Sequence, residues 1–143
     1  MKKIIIGIDP DVDKSGVAFK QGKEIRLSNM TFFQIYDALK GVREANEKEN
    51  ILVYIECGYL NKGNWHVTIG SNVINAQIGQ RTGANHQISK LLIQMCEFLD
   101  INFIAVKPTK SKVNAEFFKQ ITKIETRTNQ EQRDALMLIW GLA

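Results

Sequence analysis

Apolar positions fall along this 143-residue chain in short, well-separated runs. Ile4-Ile5-Ile6-Gly7-Ile8 is unbroken and ends on Asp9, which predicts a strand over 3–9 buried on both faces. Residues 15–20 and 23–28 flank Gln21-Gly22 and predict two more strands joined by a hairpin turn. Thr31 predicts a helix N-cap, and Phe32, Ile35, Leu39 and Val42 then recur at helical spacing through about Asn46. Ile51-Leu52-Val53-Tyr54-Ile55 predicts a second buried strand, ended by Glu56. Residues 57–71 are rich in Gly and Asn and predict a long loop. Residues 72–99 predict helix with a break near Gly83-Ala84-Asn85. Asn102 to Lys107 predicts a strand, stopped by Pro108. A helix is expected over 111–122, with Val113, Phe117 and Ile121 facing inward. The last helix is expected from Thr128 to Leu142, with Ala135, Leu138, Ile139 and Leu142 on its core side.

Three strands precede the first helix, and two more alternate with helices. That order predicts an α/β fold: a mixed five-stranded sheet, antiparallel in its first three strands and then parallel through crossovers, with helices on both faces. No repeat, low-complexity tract or Pro/Ser linker divides the chain, so 1–143 is expected to form one domain.

Composition adds little to this pattern. A hydrophobic fraction of 44% and a charged fraction of 24% are ordinary for a soluble protein. No apolar run approaches the ~20 residues a bilayer span needs, so no membrane is expected. Met1-Lys2-Lys3 leads into a run that meets charge at Asp9, which reads as a strand rather than a signal peptide. Two cysteines, Cys57 and Cys96, fit a reducing cytoplasm. His66 and His86 stand alone, so zinc spacing is missing.

Charge is uneven. Residues 107–133 carry Lys107, Lys110, Lys112, Lys119, Lys123, Arg127 and Arg133 against Glu116, Glu125 and Glu131. This stretch supplies most of the net charge of +4. Such a surface attracts phosphate backbones, or serves only as a solvated face.

The carboxylates are more informative. Asp9 and Glu56 are each the first acid past a buried strand. If the two strands are parallel neighbours, both emerge at the carboxyl edge of the sheet, where α/β folds place sites. Glu131 and Asp134 lie three apart on the last helix and share a face. Four converging acids repel unless cations bridge them. Hard divalent ions take oxygen ligands, and a pair ~3.5–4 Å apart supports phosphodiester hydrolysis. Each acid also has an ordinary explanation. Asp9 precedes Pro10 and can start a turn, and Glu56 can be a solvated strand end. Thr128-x-x-Glu131 matches a capping box, and Asp134 suits the first-turn dipole. Asp11 and Asp13 are expected to shape or solvate the turn rather than bind metal.

These residues resemble a known family. "GIDPDVDKSGVAF" resembles the opening strand-turn-strand of RuvC-type Holliday junction resolvases, which have the RNase H-like fold. "VYIECGY" resembles that family's second acidic strand, and "NAQIGQRTGANHQISKLL" its Gly-containing helical segment. "NQEQRDALMLIWG" is similar to its closing helix, where two acids lie three apart. The blocks keep the family's order over nearly the whole chain. The compact length between Lys112 and Glu131, without the usual Gly-rich stretch, is similar to phage or prophage versions.

The resemblance implies a structure-selective endodeoxyribonuclease that resolves four-way or other branched DNA in recombination and repair. It implies Asp9, Glu56, Glu131 and Asp134 as catalytic and metal-binding acids, holding two Mg²⁺ or Mn²⁺ ions. The family often has an aspartate at the position of Glu131. Tyr59 falls where the family places an aromatic that wedges into the junction, with Trp65 its competitor in the same loop. Lys112 resembles a lysine near the scissile phosphate, with Lys107, Lys110 and Lys119 as DNA-binding helpers. A homodimer is implied, with segment 72–99 as its candidate interface. Two alternatives stand beside this: a non-catalytic RNase H-like module that binds nucleic acid, and a related nuclease acting on RNA–DNA hybrids. An actin-like ATPase needs a second nucleotide-binding half, for which 143 residues leave no room.

Overall fold

The computed structural model describes residues 2–60, 72–109 and 112–142. Among these residues, five strands and four α-helices follow in the order β1 (Ile4–Asp9), β2 (Ser15–Gln21), β3 (Glu24–Met30), α1 (Phe32–Ala45), β4 (Ile51–Glu56), α2 (Asn72–Phe98), β5 (Asn102–Val106), α3 (Ala115–Thr122) and α4 (Gln130–Met137). The sheet order is β3-β2-β1-β4-β5. The β1–β2 and β2–β3 pairs are antiparallel, and β1–β4 and β4–β5 are parallel. This is the expected mixed sheet, with the strand carrying Asp9 at its centre. Among the described residues, no helix is long and apolar enough to cross a membrane.

Strand periodicity sorts the core into two layers. Ile4, Ile6 and Ile8 join Val17, Ile51, Val53 and Ile55 on one face, where they meet Ile35 and Leu39 of α1 and Leu92 and Cys96 of α2. Ile5 and Ala18 lie on the other face with Phe118 of α3, Ala135 and Leu136 of α4, and Ile139. Ile6 and Ile8 are wholly buried, and such burial stabilises by roughly 1.5–3 kcal/mol per side chain. Alternation from Ile5 puts Gly7 and Asp9 on the α4 face. Tyr54 packs in the α4 layer, so alternation puts Glu56 on that face as well.

Two glycines set how closely α4 approaches. A Cβ on Gly7 would stand 2.2 Å from the Ala135 carbonyl oxygen, and one on Gly16 would stand 2.1 Å from that of Glu131. Gly16 pairs with Asp9 across the β1–β2 ladder. The helix backbone therefore lies directly on the strand pair that carries Asp9.

Several local expectations change. The α2 helix runs unbroken through Gly83, because nothing lies within 4 Å of where its side chain would be and the exposed turn tolerates the glycine. The expected helix over 111–122 starts at Ala115, capped by the Asn114 side chain. That shift of phase leaves Phe117 exposed and buries Phe118 instead. The last helix, expected over 128–142, spans Gln130–Met137. Its capping box is formed by Asn129 and Gln132, not by Thr128 and Glu131. Asn129 also reaches Asn29 of β3, 2.6 Å away, while the Thr128 hydroxyl accepts from Arg133. The hairpin turn falls one residue later than expected, with Gln21 paired to Glu24 and Gly22 at φ +63°. Of the expected loop over 57–71, Gly58–Leu60 form a short 3₁₀ turn, and 61–71 lie outside the described residues.

A candidate acidic site at the carboxyl edge of the sheet

Asp9 and Glu56 end β1 and β4, which are parallel neighbours with Ile8 opposite Ile55. Both carboxylates thus emerge at one edge. The β4–β5 ladder continues past Glu56, with the Cys57 amide donating to the Val106 carbonyl oxygen at 2.8 Å. That bond fixes the backbone immediately after Glu56. Asp134 joins from α4, in its second turn. Glu131 sits one turn earlier on the same helix and is exposed. Its carboxylate is not consumed by the helix cap, since Gln132 fills that role.

The electrostatics show that these groups sense one another. The Asp9 carboxyl is pushed up to about 8, chiefly by burial, then by the charges of Glu56 and Asp134, with Lys112 acting the other way and Glu131 adding to the rise. Glu56 is also raised, first by burial and then by Asp134, against the pull of Lys112. The cation in their midst is the Lys112 ammonium. Its Nζ lies 2.9 Å from Asp134 Oδ2. Burial works against the charged form of Lys112, but the hydrogen bond to Asp134 and the fields of Glu56, Asp134 and Asp9 outweigh it, and its pKa rises. Gln130 Nε2 donates to the other Asp134 oxygen at 2.7 Å. Both oxygens of Asp134 are therefore engaged.

An all-carboxylate oxygen donor set with mutual repulsion suits a hard divalent cation. The arrangement is not a closed cage: among the described residues, no three acidic, histidine or cysteine groups surround a single point as ligands. Lys112 supplies a compensating positive charge beside them.

The remaining expected residues fall in different places. Lys107 is exposed, one residue past β5 and so at the same sheet edge. Lys119 lies on α3 and pairs with Glu125 at 3.1 Å, away from the acids. Tyr59 docks on α2: its ring stands edge-on to His86 with centroids 6.3 Å apart, and Lys90 Nζ sits 5.2 Å from its centroid. Trp65 and Lys110 lie outside the described residues. The β1–β2 turn is shaped as expected. Arg81 of α2 pairs with Asp11 at 3.0 Å, the Asp13 amide donates to Asp11 Oδ2, and the Val12 amide donates to Asn85 Oδ1.

Sequence reasoning missed the α2 wall of the site. Asp9, Glu56 and Gly58 line a cleft of about 190 Å³ together with Thr82, Asn85, His86 and Ser89. The buried Ser89 hydroxyl lies 3.2 Å from the Glu56 carbonyl oxygen and 3.1 Å from that of Asn85, tying helix to strand end. The signal was available as polar residues three and four apart on an otherwise mixed helix.

No protein-family model matches the chain, and no curated protein matches it in sequence. Solved structures do match. A T. thermophilus RuvC in complex with Holliday junction substrate superposes with a TM-score of 0.51 at 13% identity, covering 95% of this chain and 89% of that one. A second Thermus thermophilus RuvC structure gives 0.48 at 14% identity, over 94% and 90% of the two chains. The first likeness is one of fold: the mixed sheet with its flanking helices is that of RuvC, as the sequence blocks led us to expect.

Proposed function

We propose that the chain is a divalent-metal-dependent endonuclease that cuts four-way or other branched DNA by phosphodiester hydrolysis. The observation that carries this is the meeting of Asp9, Glu56 and Asp134, from three elements, at one sheet edge where burial and mutual charge raise Asp9 to about 8. The fold shared with a junction-bound RuvC supports branched DNA as the substrate class. Asp9, Glu56, Glu131 and Asp134 would hold two Mg²⁺ or Mn²⁺ ions. Such ions, when bound, activate a water and steady the leaving oxygen. Lys112 is released from Asp134 to meet the scissile phosphate. Lys107 at the same edge, together with Lys110 and with Lys119 of α3, adds salt-sensitive backbone contacts. Tyr59 or Trp65 stacks on an exposed base at the branch point. A homodimer would place two such sites on two opposed strands. A recombination or repair role in the cytoplasm, within one 143-residue domain of phage or prophage type, completes the proposal.

The test is cleavage of labelled four-way, flap, linear and RNA–DNA hybrid substrates with Mg²⁺ or Mn²⁺. Symmetric nicks in the four-way substrate, lost in Asp9→Asn while junction binding persists, are expected. An Asp9→Asn variant that still cuts refutes the scheme.

One observation favours a second reading, a non-catalytic nucleic-acid-binding module: Asp134 is paired with the Lys112 ammonium at 2.9 Å, a contact that neutralises one of the acids with the protein's own cation. Calorimetric titration separates the two. Carboxylate-dependent uptake of Mn²⁺ supports the nuclease, and its absence supports the module.

A further inference from the structure

The cleft shared by the strand tips and α2 carries a side chain that the scheme above leaves unused. His86 lines it beside Asp9 and Glu56. We infer that His86 is a further substrate-contacting residue, whose imidazole donates a hydrogen bond to the sugar-phosphate backbone of the cut strand, at the phosphate next to the scissile one. This role rests on the nuclease function proposed above.

Three features support it. First, the position is built. A Cβ on Gly58 would stand 2.9 Å from His86 Nε2 and 3.1 Å from Cδ2. The turn after Glu56 therefore has a glycine where the imidazole lies, and the Tyr59 ring meets the imidazole edge-on. Second, the helix around it is pinned to both acid-bearing strands. Ser89 reaches the Glu56 carbonyl, and Asn85 accepts from the Val12 amide beyond Asp9. Third, His86 itself makes no hydrogen bond among the described residues, while Asn85 and Ser89 on the same wall are bonded. An imidazole keeps at least one N–H in either protonation state, so the contact needs no titration.

The geometry also gives a direction. Lys112 approaches the acids from the segment before α3, on the α4 side of the sheet. His86 approaches from α2, on the opposite side. A strand whose scissile phosphate lies over the acids near Lys112 continues into the α2 cleft with its neighbouring phosphate. On the same wall Thr82 adds a half-buried hydroxyl, a group that suits that backbone better than a base.

Four-way junctions carrying single methylphosphonate linkages test this, with binding measured in Ca²⁺ and cleavage in Mg²⁺ or Mn²⁺. In the wild type, neutralising the adjacent phosphate should weaken binding about five- to tenfold. His86→Ala should show the same loss on the unmodified junction and no further loss on the modified one. His86→Gln, which keeps a donor, should recover part of it. Gly58→Ala should mimic His86→Ala, because its methyl displaces the ring, and the double variant should be no worse than either. If Gly58→Ala does not fold, the His86→Ala and His86→Gln pair decides alone. A His86→Ala variant that binds and cuts like an active wild type, or keeps the wild-type sensitivity to the neutral linkage, overturns the role of His86 and leaves the nuclease standing. A wild type that cuts no branched DNA with either metal overturns both.

Discussion

Lys112 Nζ and Asp134 Oδ2 lie 2.9 Å apart, and this contact puts an ammonium where the acids would otherwise face one another. Asp134 is 10% exposed, so the pair is largely shielded on its acidic side. The ammonium and a divalent ion then compete for the same carboxylates. Lys112→Met should bind Mn²⁺ more tightly than the wild type, by about threefold or more, while the metal-free protein loses stability because Asp134 loses a partner. Calorimetry gives the first quantity and denaturant melts the second. Lys119→Met, whose lysine pairs with Glu125, should leave metal affinity unchanged.

Asp9 predicts a distinctive pH dependence. Its folded pKa of about 8 lies above the ordinary value of 3.8. Between those values the folded state holds a proton that the unfolded chain has released. Stability of the metal-free protein should therefore fall as pH rises from about 4 to about 8, and level off above. Asp9→Asn should remove most of that slope and stabilise the protein at pH 8 by roughly 2 kcal/mol or more. Mg²⁺ should flatten the wild-type curve, because the ion replaces the proton. Thermal melts across pH, with and without the ion, measure all three.

The glycines under α4 predict a loss that is structural in origin and functional in effect. Gly7→Ala would drive a methyl into the Ala135 carbonyl, and Gly16→Ala into that of Glu131. Neither obstacle is a flexible side chain, so the helix must shift. Each variant should lose about 1–3 kcal/mol in denaturant melts. Cleavage should drop further than stability alone accounts for, since the helix carries Asp134 and Glu131.

The cap of α4 separates structural from chemical residues. Asn129→Ala should destabilise by ~1 kcal/mol, because it leaves the Gln132 amide without its acceptor. Glu131→Gln should change stability by less than about 0.5 kcal/mol, since the exposed carboxylate does not cap the helix. If Glu131 holds an ion, the same substitution should still reduce Mn²⁺ affinity and cleavage. Paired melts and titrations of the two variants check the distinction.

Much of this was legible in the chain before folding is considered. The strands are readable because the Ile-rich runs of β1 and β4 admit no helix-spaced polar face, and Gly22 marks the hairpin. Asp9 and Glu56 are readable as a site because each follows such a run directly. The start of α4 is not readable locally. Thr128-x-x-Glu131 and Asn129-x-x-Gln132 are equally good caps on spacing alone. Asn129 prevails where β3 offers it Asn29 and Arg133 occupies Thr128, and both contacts are tertiary. Phe117 and Phe118 are exchanged for a similar reason, since Asn114 moves the phase of α3. His86 is a solitary histidine in the sequence, and only the crossing of α2 over the tip of β4 gives it neighbours.

The place of β1 at the middle of the sheet has one more consequence. The strand ending at Asp9 is bonded along both edges, to β2 and β4, whereas β3 and β5 are bonded along one. Amide hydrogens of Ile6 and Ile8 should exchange with solvent only when the whole molecule opens, while those of the outer strands exchange through smaller fluctuations. The carboxyl group that burial and its acidic neighbours hold protonated is thus mounted on the central strand, and loss of the native state should abolish the site in a single step rather than by gradual fraying.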